Sequence, residues 1–150
     1  MKHKTRNILL FLDFDGVTHP NSGSAPFKQE NMFWLEKALT EFPQINIVIS
    51  SSWRETKPLN EIKQLLGHIA GSRVIGITPV IDDPFLHAIR YYEVIKYLEE
   101  TDNIDTLWFA LDDTPGFYKG NGTVIYTDPH TGLSESDYVK IRDLIHGLKT

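Results

Sequence analysis

Two carboxylates, Asp13 and Asp15, close an apolar run in LDFDGVTHP, with Phe14 between them and Gly16 directly after. Asp112 and Asp113 close a second apolar run in ALDDTPG, and Asp128 closes a third in TVIYTD. A fourth run ends on hydroxyls, Ser50, Ser51 and Ser52, in VISSSWRE. A lone aspartate in such a place is ordinarily a turn former or a helix cap. The joint arrangement is different: Asp-x-Asp-Gly ends the first run, hydroxyls the next, a basic segment follows, and Asp-Asp ends the run after it. Acids gathered at one edge repel one another, and that repulsion is costly unless something compensates it. A divalent cation compensates it. Carboxylates with a backbone carbonyl and water are the ligand set that suits magnesium.

The elements that must carry these groups alternate along the chain. Residues 7–13 (NILLFLD), 45–50 (INIVIS), 73–79 (RVIGITP), 106–112 (TLWFALD) and 123–128 (TVIYTD) are short apolar runs, as expected of strands buried on both faces. Residues 31–42, 59–67, 85–100 and 134–148 have helical spacing. In the first of these, Phe33, Trp34, Ala38 and Leu39 form the apolar stripe and Asn31 is the expected cap; in the third, the stripe is Ile89, Tyr92, Ile95, Tyr97 and Leu98. Gly67 is the expected stop of the second, and Ser134 with Asp137 has capping-box spacing before the last. Residues 21–26 (NSGSAP) read as a flexible loop. The alternation predicts an α/β fold: a single doubly wound domain over residues 1–150, with a central parallel five-stranded sheet and helices on both faces. In such sheets ligands bind beyond the carboxyl ends of the strands, where all these acids and hydroxyls fall.

Composition narrows the function classes. The chain has 150 residues, 41% hydrophobic and 23% charged, which suits one soluble globular domain. A net charge of −5 and a pI of about 5.6 are not the basic footprint of a protein that holds nucleic acid by charge alone. The absence of cysteine excludes disulfides, thiolate metal sites and cysteine nucleophiles. The six histidines have no metal-ligand spacing. The apolar run after the basic start MKHKTR is too short for a signal-peptide core or a membrane span, so a cytoplasmic location is expected, with no membrane association and no obligate protein partner.

LDFDGVTHP, VISSSWRE, RYYEVIKYL and ALDDTPG resemble, in order, the four motifs of the haloacid dehalogenase-like (HAD) superfamily of phosphotransferases. DGVTHP, SSSWR, the Arg-x-x-Glu of Arg90 and Glu93, and TDPHTGL are similar to the HAD domain of Swiss Army Knife RNA repair proteins. The resemblance spans about Ile8 to Leu148. It implies a Rossmann-like HAD fold and a magnesium-dependent phosphatase. Asp13 is then the nucleophile that forms an aspartyl-phosphate. It is a good nucleophile without an activating base, because a carboxylate is ionised at pH 7. Asp15 is the general acid and base. The implied metal site comprises Asp13, the Phe14 carbonyl, Asp15, Asp112 and Asp113, with Asp113 binding magnesium directly and Asp112 supporting it; the reverse order is the alternative.

The implied phosphoryl hydroxyl is Ser51, with Ser50 the alternative and Ser52 beside them. The implied fixed cation is Arg90, with Lys96 the runner-up, while Glu93 pairs with a neighbour. Trp53 and Arg54 have two readings: base stacking and phosphate contact at the rim, or packing and a solvated charge. Asp128 is a turn residue or a helper, His130 lies beyond the core motifs, and His19 is a packed or loop residue or a substrate contact. The intervals between motifs leave no room for a large cap, so the site is expected to be open. An open site suits a bulky phosphorylated substrate such as an RNA or DNA end. The alternatives are a small-molecule phosphatase for nucleotides or sugars, a receiver-type phospho-acceptor module and a catalytically silent binding domain.

Overall fold

The structure is a computed structural model that describes residues 6–20 and 27–148. The expected loop at 21–26 and most of the basic amino-terminal segment lie outside the described residues. The strands are β1 (Ile8–Leu12), β2 (Ile45–Ile49), β3 (Val74–Ile77), β4 (Leu107–Asp112) and β5 (Val124–Tyr126). The helices are α1 (Gln29–Glu41), α2 (Leu59–Gly71), α3 (Ile89–Glu100) and α4 (Glu135–Gly147). Short 3-10 turns follow β2 (Ser52–Glu55) and β4 (Pro115–Phe117).

The five strands form one parallel sheet in the order β3-β2-β1-β4-β5. All five residues of β1 are buried, as a central strand covered on both faces requires. Alternation along the strands divides the core. Leu10, Leu12, Ile47, Ile49, Phe109 and Leu111 pack with α1, α2 and α4 on one face. Leu9, Phe11, Val48 and Ala110 pack with Val94, Tyr97 and Leu98 of α3 and with Tyr118 on the other. Leu12 pairs with both Ile49 and Leu111. Burying each such side chain contributes about 1.5–3 kcal/mol, and a one-residue slip would turn them all to the wrong face. The register therefore brings the carboxyl ends of β1, β2 and β4 level with one another.

Local departures from the sequence expectation have identifiable causes. Asn31 does not cap α1, which begins two residues earlier at Gln29. Instead its side-chain amide, buried inside the helix, donates to the carbonyls of Thr131 and Leu133 at 2.9 and 2.8 Å, and so buckles α1 to the chain before α4. Phe33 is exposed, and Met32 and Leu35 take the inward positions of α1. Tyr92 is likewise exposed, and α3 turns Glu93, Val94, Tyr97 and Leu98 inward. Gly67 has the expected left-handed φ of 85°, but it kinks α2 rather than ending it. Residues 85–88 precede α3 instead of opening it, since Ala88 sits at φ 55°, outside the helical region. The expected capping box forms: the Asp137 carboxylate accepts the Ser134 N–H at 2.9 Å.

Among the described residues, only α1 separates β1 from β2, and only the first 3-10 turn, α2 and β3 lie between β2 and α3 as regular elements. Among the described residues, these intervals hold no further helix or strand that would make a folded cap. No helix of the described residues is long and apolar enough to cross a membrane.

Candidate active site

The chain leaves β1 for β2 on one side, and the path from β3 to β4 crosses to the other. The switch in direction falls between β1 and β4, the crevice where open parallel sheets bind ligands. Asp13 stands at the end of β1, where its N–H donates to Leu111 O at 3.1 Å. Asp112 is the last residue of β4, and Asp113 follows it. One oxygen from each of Asp13, Asp112 and Asp113 lies within 4.8 Å of the others.

This is an energetically demanding cluster. Asp13 is 7% exposed and Asp112 is fully buried. Burial pushes the Asp13 carboxyl up to about 7; the Phe14 backbone N–H and Arg90 oppose the shift, and Asp113 and Asp15 add to it. Burial, then repulsion from Asp13, pushes Asp112 up to about 8. The Thr114 N–H donates to Asp112 Oδ1 at 2.9 Å, while buried Asp112 Oδ2 has no hydrogen-bond partner. The Thr114 hydroxyl donates to Asp113 Oδ1 at 2.8 Å. Three close carboxylates, two of them held toward the neutral form and one with an orphaned oxygen, fit a hard divalent cation with oxygen ligands.

The Phe14 carbonyl does not join that ligand set. It accepts the N–H groups of Val17 and Thr18, both at 2.9 Å, and the Thr18 hydroxyl at 3.2 Å, so the turn that follows the strand consumes it. Phe14 is a core residue, fully buried against Phe27 and edge-on to Trp53. Gly16 makes the turn possible. Its φ is 78°, and a Cβ there would stand 2.2 Å from Asp113 Oδ2. Only a glycine satisfies both the backbone conformation and the close approach of β4. The Thr127 hydroxyl, from the end of β5, clamps the turn by donating to Gly16 O at 2.7 Å.

Asp15 projects from the same turn with its side chain 40% exposed, and His19 Nε2 lies 2.9 Å from its Oδ1. His19 is buried, stacked on Phe27 and tilted against Trp53. It is thus a packed partner of Asp15, one of the two roles its sequence position suggested.

At the end of β2, Ser50 and Ser51 are both buried. Ser51 Oγ accepts the Trp53 N–H at 3.2 Å and so caps the 3-10 turn, while Ser50 Oγ has no partner. Ser52 is exposed at the first position of that turn. Trp53 is partly buried against Phe14, Phe27 and His19, with Lys57 over its ring at 5.7 Å.

Arg54 overturns the rim reading. It is 7% exposed and turned inward, with its guanidinium spent on the carbonyls of Ser50, Ser51, Thr78 and Pro79 and on Glu93. A guanidinium with five donors already used has nothing left for a phosphate at the rim.

Arg90 occupies the first turn of α3, packed over the Phe117 ring at 4.8 Å, and its charge lowers the pKa of both Asp13 and Asp112. Lys96 is on the exposed side of the same helix. Glu93 pairs with Arg90 at 2.7 Å. Asp128 is exposed and shapes a turn, accepting the His130 N–H at 2.9 Å, and His130 is exposed as well. The groups that residue types alone did not single out are Thr114, Thr127 and the side chain of Tyr118, which is fully buried with its hydroxyl unpaired. The only sequence signal of the two threonines was position, directly after an acidic pair or a strand; Tyr118, after the 3-10 turn, had none.

An open parallel α/β sheet with an acid pair at the switch point, hydroxyls at the neighbouring strand end and a cation on the following helix defines a HAD-like domain. The chain belongs to the family described as the HAD domain in Swiss Army Knife RNA repair proteins, which it matches over residues 9–138. Its fold is similar to that of the HAD domain of effector protein Lem4 from Legionella pneumophila, with a TM-score of 0.55, 17% identity and 93% of each chain covered. An inactive mutant of the same Lem4 domain matches with a TM-score of 0.55 and 16% identity, over 95% of this chain and 93% of that one. No curated protein matches the chain.

Proposed function

We propose that this protein is a magnesium-dependent phosphomonoesterase that works through an aspartyl-phosphate. The observation that carries this reading is the convergence of Asp13, Asp112 and Asp113 within 4.8 Å at the β1–β4 switch point. Asp13 attacks phosphorus in line with the ester oxygen. The P–O bond to the leaving group breaks, and Asp15 delivers a proton to that oxygen. Asp15 then takes a proton from water, which attacks the acyl phosphate and returns Asp13 and inorganic phosphate. The buried His19 ring, with Nε2 2.9 Å from Oδ1, walls one side of the Asp15 carboxyl as it cycles. Arg90 supplies fixed positive charge to the phosphoryl oxygens, and the Ser50 hydroxyl, which has no other partner, donates to one of them. Ser51 stands beside it as a second donor, since its oxygen accepts a backbone N–H and its proton remains available. When bound, magnesium at Asp13, Asp113 and Asp112 offsets the charge of the phosphoryl group and keeps Asp13 ionised.

A phosphorylated RNA or DNA end is the substrate supported by the family's RNA repair proteins and by the uncapped sheet edge. A small phosphate ester is the second reading. It is favoured by the cleft beside Arg90, about 490 Å³, which is lined by Glu55, Asp82 and Asp83 and so repels a polyanion, and by the inward turn of Arg54. The test is hydrolysis of p-nitrophenyl phosphate with and without magnesium. Turnover that needs magnesium and disappears in Asp13→Asn supports the reading. Turnover by pure Asp13→Asn protein at the wild-type rate overturns it, and a stable phosphoryl adduct on Asp112 or Asp113 instead of Asp13 favours a phospho-acceptor module.

A further inference from the structure

Behind Arg90 runs a buried ionic chain that the proposed chemistry does not itself use. Glu93 stands at its centre, with its side chain 1% exposed. Its Oε1 accepts from Arg90 Nη1 at 2.7 Å. Its Oε2 accepts from Arg54 Nη2 at 2.9 Å and from the Ile81 N–H at 3.0 Å. One carboxylate thus holds two guanidinium groups. Arg54 continues the chain in the other direction: its Nη1 donates to Ser50 O at 3.1 Å and Ser51 O at 3.0 Å, and its Nε donates to Thr78 O at 3.0 Å. The chain therefore runs without a break from the backbone of the Ser50–Ser51 step, through Arg54 and Glu93, to Arg90.

Stability alone does not account for this arrangement. Removing charges from water costs more than their mutual attraction commonly returns, and apolar side chains of similar volume often serve a core as well or better. What the chain offers is geometry. Arginine is a long side chain with several free torsions, and Arg90 is pinned at a carboxylate fixed in turn by two other donors, Arg54 and the Ile81 N–H. Two arginines and one glutamate also leave one net positive charge, and Arg90 is the end of the chain whose charge acts on Asp13 and Asp112.

We propose that Glu93, itself held by Arg54 to the end of β2, is a positioning residue that aims Arg90 at the phosphoryl group the Ser50–Ser51 hydroxyls also meet. Neither Glu93 nor Arg54 touches substrate. Glu93 acts through Arg90, and Arg54 couples Glu93 to the β2 end. The inference rests on the phosphatase reading, in which Arg90 and the serines grip phosphate.

The experiment is a double-mutant cycle of Glu93→Gln and Arg90→Ala in the full chain. The readouts are kcat and KM for p-nitrophenyl phosphate with magnesium, and the Kd of inorganic phosphate by calorimetry. Glutamine keeps the shape but turns a donor toward one guanidinium. Glu93→Gln should weaken phosphate binding and kcat/KM by about 10–100-fold, the range seen when the outer partners of a site's ligands are removed. In the Arg90→Ala background the same change should alter either quantity by less than about twofold, because the group it acts through is gone. Circular dichroism and a urea titration establish that each variant is folded. If Glu93→Gln does not fold, Glu93→Asp replaces it in the cycle, since it keeps the charge and withdraws the carboxylate.

An equal loss in both backgrounds would mean that Glu93 has a purely structural role, and it would overturn the positioning inference while leaving the phosphatase standing. So would a Glu93→Gln protein with wild-type KM and Kd. If the wild type neither hydrolyses the aryl phosphate nor binds phosphate, the phosphatase reading fails and the inference falls with it.

Discussion

At the scale of single residues, the site is a set of charges that the fold holds in unfavourable surroundings. Asp13 and Asp112 have carboxyls raised to about 7 and about 8, chiefly by burial. An acid whose folded pKa is raised binds more protons folded than unfolded, so its contribution is full at low pH and is lost as pH rises through the folded value. Chelator-treated protein should therefore lose stability between about pH 4 and pH 8, as followed by urea denaturation. Magnesium should restore stability at the upper end of that window. Asp13→Asn should flatten the slope and abolish phosphate release; an unchanged slope in that variant would place the buried proton elsewhere. Gly16 is as constrained as the acids. Gly16→Ala should cost about 1–2 kcal/mol for the left-handed backbone alone. Because the new Cβ would stand 2.2 Å from Asp113 Oδ2, it should also lower magnesium affinity, measurable by calorimetry. Magnesium affinity equal to wild type would mean that Asp113 is not a ligand.

At the scale of elements, the strand ends present the chemistry and other segments hold it in place. Thr114, one residue beyond the acid pair, bonds both of its carboxylates, and Thr127 ties the end of β5 to the Gly16 turn. Further out, Asn31 of α1 secures the chain before α4 through two carbonyls. Asn31→Ala should lose about 1–3 kcal/mol of stability, the cost of leaving buried backbone acceptors without donors. A urea midpoint indistinguishable from wild type would mean that water replaces the amide without penalty. The buckle also explains Gly132: a Cβ there would stand 2.7 Å from Asn31 Oδ1.

At the scale of the whole molecule, a sheet edge with no folded cap among the described elements belongs to a chain of net charge −5. An edge without a folded cap suits a large substrate, and contacts far from the phosphoryl group can contribute transition-state binding. A phosphorylated oligonucleotide is therefore expected to exceed the matching mononucleotide in kcat/KM, for either a 5′ or a 3′ phosphate. With a net charge of −5 and Arg54 turned inward, the advantage should be modest and should shrink as salt rises. Rates for all three substrates at two salt concentrations decide the matter. If the mononucleotide is better at both, the nucleic-acid end gives way to a small phosphate ester.

The amino-acid sequence by itself determined the strand–helix alternation, the parallel sheet and the grouping of Asp13, Asp112, Ser50 and Ser51 at one edge. Apolar runs that end on acids or hydroxyls need only local pattern and the geometry of parallel strands to be placed. Tertiary structure decided what depends on partners distant in the chain. Phe14 looked like a source of a metal-facing carbonyl until the turn at Val17 and Thr18 was seen to use it. Arg54 looked like a rim charge, and no local signal could have turned it inward, because its anion is Glu93, 39 positions further on. Asn31 looked like a helix cap, and its partners lie 100 and 102 positions away. A carboxylate or guanidinium shows its charge in the sequence, but its role depends on which buried donors and acceptors reach it, and only the folded chain brings those together.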